Sequence, residues 1–175
     1  MPLNQTWGHG SASLRPARET RKTMPKRRSQ VALSPEEEAV VLDEGRTIQI
    51  ASIGPDGFPH LVAMWYAVID GDICFSTYGT SQKVLNLQRD PRVTAMVELG
   101  HDYNQLRGVV IKGKATVVDA GSPERATLEP LLAKELAPRY GGTGTGGLSP
   151  KRVIIRIHPE KTYSWDHRKL AAGVH

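Results

Sequence analysis

The segment YGTSQKVLNLQRDPR, residues 78–92, places hydroxyl side chains and one lysine where an apolar strand gives way to a short helix. The first turn of a helix exposes backbone N–H groups without helical partners, and its dipole favours an anion there. Thr80 and Ser81 would add hydroxyl donors, and Lys83 would add a positive charge. A lysine in the first turn opposes the helix dipole unless an anion is present to share it. The segment therefore suits a phosphate site or a simple helix cap, and these residues leave both open.

The composition is typical of one soluble globular domain. The chain has 175 residues, of which 39% are hydrophobic and 23% are charged, and this length suffices for a single buried core. No stretch approaches the roughly 20 apolar residues of a membrane helix. The single cysteine, Cys74, excludes a disulfide framework and predicts an inert, buried thiol in a cytoplasmic protein. The six histidines lack metal-ligand spacing, so we expect no metal site.

The net charge of +5 is concentrated at the N-terminus. Residues 1–33 carry seven basic side chains and one acidic side chain, which leaves the other 142 residues at −1. This leader is rich in Ser, Thr, Gly and Pro, so we expect a disordered arm over residues 1–33 and a folded domain over residues 34–175. The basic run PKRR, residues 25–28, is an alternative contact for nucleic acid, although a solvated tail is favoured. Met24, just before it, would be an alternative translation start.

The pattern after the leader predicts a mainly β domain with peripheral helices. Apolar alternation predicts six strands, over residues 46–53, 59–69, 73–77, 91–99, 107–119 and 152–159. Helices are expected after a capping box at Ser34, from about Ser81, and after a Ser-Pro cap at Ser122, where Pro130 and Pro138 should limit or kink the helix. Tight turns between consecutive strands favour antiparallel pairing, and six strands suit a small barrel.

Three stretches carry a resemblance to a known family. The opening segment, with DGFPHLVAMWYAVIDGDICFST before it and DPRVTAMVE after it, resembles the pyridoxamine 5′-phosphate oxidase-like split β-barrel superfamily. GTSQKVLNLQRDPR and the late RVIIRIHPEKTYSWDHRKL are most similar to its flavin/deazaflavin oxidoreductase branch, the F-420-dependent type B enzymes. The resemblance covers residues 34–170. It implies a six-stranded antiparallel split β-barrel, working as a homodimer with the cofactor in a groove between the subunits.

The same resemblance implies which residues bind the cofactor. The ring would lie along Val62, Ala63, Met64 and Trp65, largely against backbone groups, although periodicity alone favours Trp65 and Tyr66 as core or interface residues. The ribityl chain would be edged by Thr77, Tyr78, Gly79 and Thr80, and the phosphate would be held by Ser81, Gln82 and Lys83. Trp165 would reach the site from the partner chain or cover it. No catalytic acid is assigned; the titratable candidates are His60, His101, Tyr103 and His167.

Departures from the oxidase pattern bear on the cofactor. The chain has Leu61 and Tyr66 where the oxidase has arginine and lysine, Gln82 in place of an arginine at the phosphate, and Gly108 where a strand glutamine is expected. Oxidation of pyridoxamine phosphate is therefore not expected. The loss of one phosphate cation also favours F-420 over FMN, because the phosphate of F-420 lies in a diester.

The sequence thus predicts an F-420-dependent reductase that transfers a hydride to an electron-poor small organic substrate. One alternative is an FMN-binding flavin reductase or oxidase of the same fold. Another is a non-enzymatic cofactor carrier or haem-binding split barrel, in which His158 or His167 would bind the iron. A third is binding of nucleic acid or an anionic surface through the basic arm.

Overall fold

Seven strands and five α-helices make up the described part of the chain. The computed structural model describes residues 27–141 and 148–171. The strands are β1 (Ile48–Ile53), β2 (Pro59–Met64), β3 (Ala67–Ile69), β4 (Asp72–Tyr78), β5 (Arg92–Leu99), β6 (Arg107–Val118) and β7 (Arg152–Asp166). The helices are α1 (Arg27–Val31), α2 (Pro35–Glu44), α3 (Gln82–Arg89), α4 (Pro123–Tyr140) and α5 (Arg168–Ala171), with a 3-10 turn over Tyr103–Gln105.

All seven strands form one antiparallel sheet in the order β2-β1-β5-β6-β7-β4-β3. β2 and β3 lie at opposite edges of this order, yet only Trp65 and Tyr66 join them. The sheet must therefore curl until its two edges approach each other. Within the described residues, β3 pairs with residues 72–74 of β4 alone, and no strand lies beside the rest of that edge, residues 75–78. The fold is thus the predicted mainly β, antiparallel split barrel.

The number of strands and the end of the last strand differ from the prediction. The sequence predicts one strand over residues 59–69, but the chain breaks at Trp65 and Tyr66 because it crosses there from one sheet edge to the other. The last strand continues to Asp166 and does not end near Pro159. Pairing between β6 and β7 shifts by one residue beside Pro159. This bulge accommodates a residue that has no N–H to donate.

The core has two apolar clusters. The larger one fills the barrel, where side chains such as Ile50, Phe75 and Ile155 are fully buried. α3 closes one end of the barrel by inserting Val84 and Leu87 into this cluster. Leu85, which lies between them in the sequence, is 47% exposed. The second cluster lies under α4 and includes the predicted buried thiol, Cys74.

The predicted cap of α2 is confirmed, whereas α4 continues past the prolines that were expected to limit it. The Ser34 hydroxyl accepts from the Glu37 N–H at 3.3 Å, and the Glu37 carboxylate accepts from the Ser34 N–H at 2.7 Å. This is the reciprocal capping box expected at the start of α2. α4 runs for 18 residues through Pro130 and Pro138. Its buried leucine face offsets the helical hydrogen bonds that the two prolines cannot make.

The described structure begins before residue 34, inside the predicted arm. Val31 of α1 is 9% exposed, and the Leu33 N–H donates to Ser164 Oγ at 3.2 Å, so this segment packs against β7. Lys169 of α5 donates to the carbonyl oxygen of Ala32 at 2.9 Å. Residues 27–33 therefore join the domain, because they find an apolar and a polar partner on it. Residues 1–26 lie outside the described part of the chain.

Candidate functional site

A lysine and two hydroxyl groups meet where β4 leads into α3. Lys83 Nζ donates to Thr77 Oγ1 at 2.9 Å, and Thr77 Oγ1 lies 3.5 Å from Ser81 Oγ. Ser81 occupies the cap position of α3, but its side chain makes no capping hydrogen bond, and the first turn contains no acidic residue. The simple cap is therefore not formed. The Thr77 hydroxyl instead bonds the lysine and the Ser81 hydroxyl lies beside it, in an arrangement suited to an anion.

Lys83 is a cation without a carboxylate partner. Among the described residues, neither Lys83 nor Arg152 takes part in a salt bridge. Partial burial lowers the pKa of Lys83 from its ordinary value, and the positive charge of Arg152 lowers it further. Two cations that repel each other and lack a counter-charge favour the binding of an anion.

Arg152 is a second basic residue near this corner, and the sequence does not reveal it. The register of β4 against β7 pairs it with Tyr78, and its guanidinium lies 5.0 Å from the centre of the Tyr78 ring. It also donates to the Ser76 carbonyl oxygen at 2.9 Å. The segment around Lys83 contains only one cation for a phosphate, but the folded chain places a second one nearby. Only the pairing of two distant strands shows the second charge.

The other predicted residues of the segment have different surroundings. Tyr78 and Thr80 are exposed, and the Gly79 N–H donates to the carbonyl oxygen of Lys151 at 2.9 Å. Gln82 Nε2 donates to Asn86 Oδ1 at 2.8 Å, so its side chain points along α3. In this arrangement the Gln82 side chain is engaged within the helix, and Lys83 and Ser81 are the better placed of the three predicted phosphate residues.

β2 presents its predicted ring-lining residues in two directions. Val62 and Met64 pack against the barrel core, which leaves chiefly their backbone atoms for a ligand. Ala63 and Trp65 point the other way, and Trp65 is 52% exposed whereas its neighbour Tyr66 is fully buried. Of the core and interface positions that periodicity allowed, Tyr66 takes the core, whereas Trp65 lies outside the core of this chain. β2 is a sheet edge that pairs with β1 alone, so one row of its backbone groups is open at the split.

Trp165 lies in a separate cleft of about 430 Å³. The cleft is lined by Val31, Val110, Lys112, Tyr163, Ser164 and Trp165. The indole covers Gly108 so closely that a Cβ there would lie 2.3 Å from Trp165 Cζ2. The glycine at this position, where the oxidase has a glutamine, therefore makes room for the indole. Trp165 is thirteen positions from Arg152 on β7, roughly 40 Å of extended strand, so one chain does not bring it to Lys83.

The titratable candidates do not form a group around Lys83. His60 comes nearest by topology: it pairs with Ser52, and Ser52 Oγ accepts from Asn86 of α3 at 3.1 Å. His60 Nδ1 is buried and has no hydrogen-bond partner in the described structure. His167 Nδ1 lies 2.8 Å from the Tyr103 carbonyl oxygen, away from this corner. No catalytic acid can be assigned from these positions.

The candidate haem ligand His158 is engaged at both ring nitrogens. Its Nδ1 lies 3.0 Å from Asp72 Oδ2, and its Nε2 lies 3.1 Å from Thr116 Oγ1. Iron binding would break one of these contacts, so the structure disfavours this residue as a ligand. Within residues 27–141 and 148–171, no group of three His, Cys, Asp or Glu side chains is placed to hold a metal ion. No helix in these ranges is long and apolar enough to cross a membrane.

Comparison with known proteins identifies the family. The pyridoxamine 5′-phosphate oxidase family matches the chain over residues 34–166. The chain belongs to this family. Among solved structures, a conserved hypothetical protein from Mycobacterium tuberculosis is 42% identical, with a TM-score of 0.72 over 84% of this chain and 93% of that chain. No curated protein matches the chain.

Two further solved structures of the same fold bind or use flavin-type cofactors according to their names. An F420 reductase is 26% identical, with a TM-score of 0.58 over 74% of this chain and 98% of that chain. An FAD-binding protein from Mesorhizobium loti is 22% identical, with a TM-score of 0.63 over 76% of this chain and 94% of that chain. The second likeness shows the fold alone. The superfamily expected from the sequence is thus confirmed.

Proposed function

We propose that the protein is an F-420-dependent reductase acting on an electron-poor, unsaturated small molecule. The observation that carries this proposal is Lys83, a partly buried cation at the start of α3 that bonds Thr77 and has no carboxylate partner among the described residues. The likeness to an F420 reductase at 26% identity supports the cofactor class. When bound, F-420 supplies a hydride from C5 of its reduced ring. The protein supplies position and exclusion of water.

Different residues of the chain would hold the phosphate and the ring of the cofactor. Lys83 and Ser81 would hold the phosphate, assisted by the field of Arg152. The open backbone edge of β2, from Val62 to Trp65, would line the ring. Because a phosphodiester carries one negative charge, Lys83 alone balances it. We place this chemistry in the cytoplasm, where the single buried cysteine would remain a thiol.

FMN is the second candidate, and Arg152 is the observation that favours it. The phosphate of FMN is a monoester with close to two negative charges at neutral pH. Lys83 and Arg152 together would supply two positive charges, which weakens the preference for F-420 that the sequence suggested. With FMN bound, the protein would be a flavin reductase or an oxidase that reacts with oxygen.

We infer that the working form is a homodimer, because one chain separates the two parts of the site. Trp165 lies in its own cleft on β6 and β7, far along the strand from Lys83. The outer face of β1 and β2 also has uncovered or unpaired groups within the described residues. Leu61 is 65% exposed, and Gln49 Oε1 is buried without a hydrogen-bond partner there. A second copy covering this face would bury Leu61 and bring its own Trp165 to the split.

A fluorescence titration of the full chain with F-420, beside one with FMN, tests the choice of cofactor. We expect micromolar binding of F-420 and weaker binding of FMN. Loaded with reduced F-420, the protein should then oxidise the cofactor in the presence of a quinone or an enone and not with oxygen alone. Tight FMN binding without F-420 binding would instead support the second candidate, an FMN-dependent reductase or oxidase. Binding of neither would contradict both.

A further inference from the structure

Trp65 presents one open aromatic face. Its other face stacks on Tyr140, with ring centroids 4.3 Å apart and the planes inclined by 15°. The side chain is nevertheless 52% exposed. An aromatic ring that is fixed on one face and open on the other can stack on a planar ligand. The pair of rings therefore forms a flat aromatic surface, here called the Trp65–Tyr140 wall.

Hydrogen bonds hold the wall in place before any ligand arrives. The Tyr140 hydroxyl donates to the Arg46 carbonyl oxygen at 2.5 Å and accepts from the Tyr66 N–H at 3.4 Å. The preceding residue, Arg139, donates to the carbonyl oxygen of Asp43 at 2.8 Å. The end of α4 is thereby tied to the end of α2 and to the crossover between β2 and β3. A ligand that stacks on this wall would pay little conformational entropy to order it.

The wall lies where β2 ends and the sheet crosses to its other edge. We propose that the open face of Trp65, backed by Tyr140 as a positioning residue, stacks on the flat conjugated ring of the substrate. This inference rests on the proposed function, in which the backbone edge of β2 serves the cofactor ring. The side chain of Trp65 is then left for a second ring. Flat, conjugated molecules would be selected over puckered, saturated molecules of the same size.

Equilibrium dialysis of the full chain against two matched probes tests this. 2-Naphthol is a flat two-ring aromatic alcohol, and 2-decalol is its saturated, puckered counterpart. Wild type should bind 2-naphthol about two- to tenfold more tightly than 2-decalol, as ring stacking predicts. Trp65→Leu should abolish this preference and Trp65→Phe should restore most of it. Tyr140→Phe, which keeps the ring but loses both hydrogen bonds, should weaken 2-naphthol binding by about two- to threefold.

A control and a second ligand separate the outcomes. Phe58→Leu removes a 74% exposed ring from the turn before β2 and should leave 2-naphthol binding unchanged. F-420 should not displace 2-naphthol from wild type. Equal 2-naphthol affinity in wild type and Trp65→Leu would overturn the inference, as would displacement of 2-naphthol by F-420. If wild type fails to bind F-420 yet shows the Trp65-dependent preference, the proposed cofactor is wrong and the stacking site stands.

Discussion

Lys83 sits in surroundings that disfavour its own charge. Burial and Arg152 lower its pKa in the folded protein, so the folded chain binds this proton less tightly than the unfolded chain does. Between the lowered pKa and the ordinary value of 10.5, the unfolded state carries more protons, and stability rises with pH. At neutral pH the charge therefore opposes folding. A cation kept at such a cost is typical of a binding site.

Replacing this charge should cost the free protein little. We expect Lys83→Met to leave the free energy of unfolding in urea within about 0.5 kcal/mol of wild type or to raise it, because the lost hydrogen bond to Thr77 is offset by removal of a desolvated charge. Any advantage of the variant at pH 7 should shrink as the pH rises toward 10.5, since wild-type Lys83 becomes neutral. Lys134→Met, on the exposed side of α4, is the matched control. A large loss of stability in Lys83→Met alone would mean that the lysine is structural.

The residues that sequence reasoning identified and those it missed differ in how they reach the site. Lys83, Ser81 and Thr77 belong to one strand-helix junction, so a local pattern suffices to group them. Arg152 and Tyr140 come from distant elements. Their positions depend on the register of β4 against β7 and on the docking of α4, and neither is encoded in a short motif. Trp65 and Trp165 were assigned to the site only through the resemblance to a family, and these two assignments stay predictions.

Among the elements, α4 fixes the start of β7 through a buried arginine. Arg125 is 8% exposed and donates to the carbonyl oxygens of Arg152 at 2.6 Å and Leu148 at 3.0 Å. It also bonds the carboxylate of Glu129 at 2.8 Å. Arg125 thus ties α4 to the strand end that carries Arg152. The same interaction helps to position Arg152, the second cation of the proposed anion site.

Arg125→Met should lower the free energy of unfolding by about 2–4 kcal/mol, because it removes the arginine donor from two carbonyl groups and leaves the Glu129 carboxylate with only the Leu148 N–H among its donors in the described residues. Arg92→Met is the matched control: its ion pair with Asp90 is formed by a side chain that is 75% exposed, so its loss should change the stability far less than the loss of Arg125. Chemical denaturation of both variants beside wild type measures the difference. Similar losses in the two variants would show that the tether does not hold β7.

For the helices and strands, the sequence predicts the type of each element better than the residues at which it begins and ends. The Ser34 capping box and the alternation of β6 were sufficient to place those elements. The break at Trp65–Tyr66 was not visible, because an apolar run looks the same whether it stays in one sheet edge or crosses to the other. The passage of α4 through Pro130 also depends on tertiary packing that local propensity does not include.

For the whole molecule, the central expectation is that two chains share each site. Sedimentation equilibrium should give twice the chain mass of 19.2 kDa. Leu61→Glu should shift the protein to monomer, because it places a charge on an exposed apolar position of the face that we expect to be covered. Leu131→Glu, on α4, should remain dimeric. A monomeric wild type at concentrations that bind cofactor would contradict the shared site.

The measurement that bears most directly on the proposed function is the affinity for F-420 of wild type, Lys83→Met and Lys134→Met, titrated in parallel by fluorescence. We expect micromolar binding in wild type and in Lys134→Met. Binding by Lys83→Met should be at least about tenfold weaker, as expected when a charge-assisted contact to a phosphate is lost. Equal affinity in all three proteins would show that Lys83 does not hold the phosphate. Absence of F-420 binding in wild type would contradict the proposed function itself.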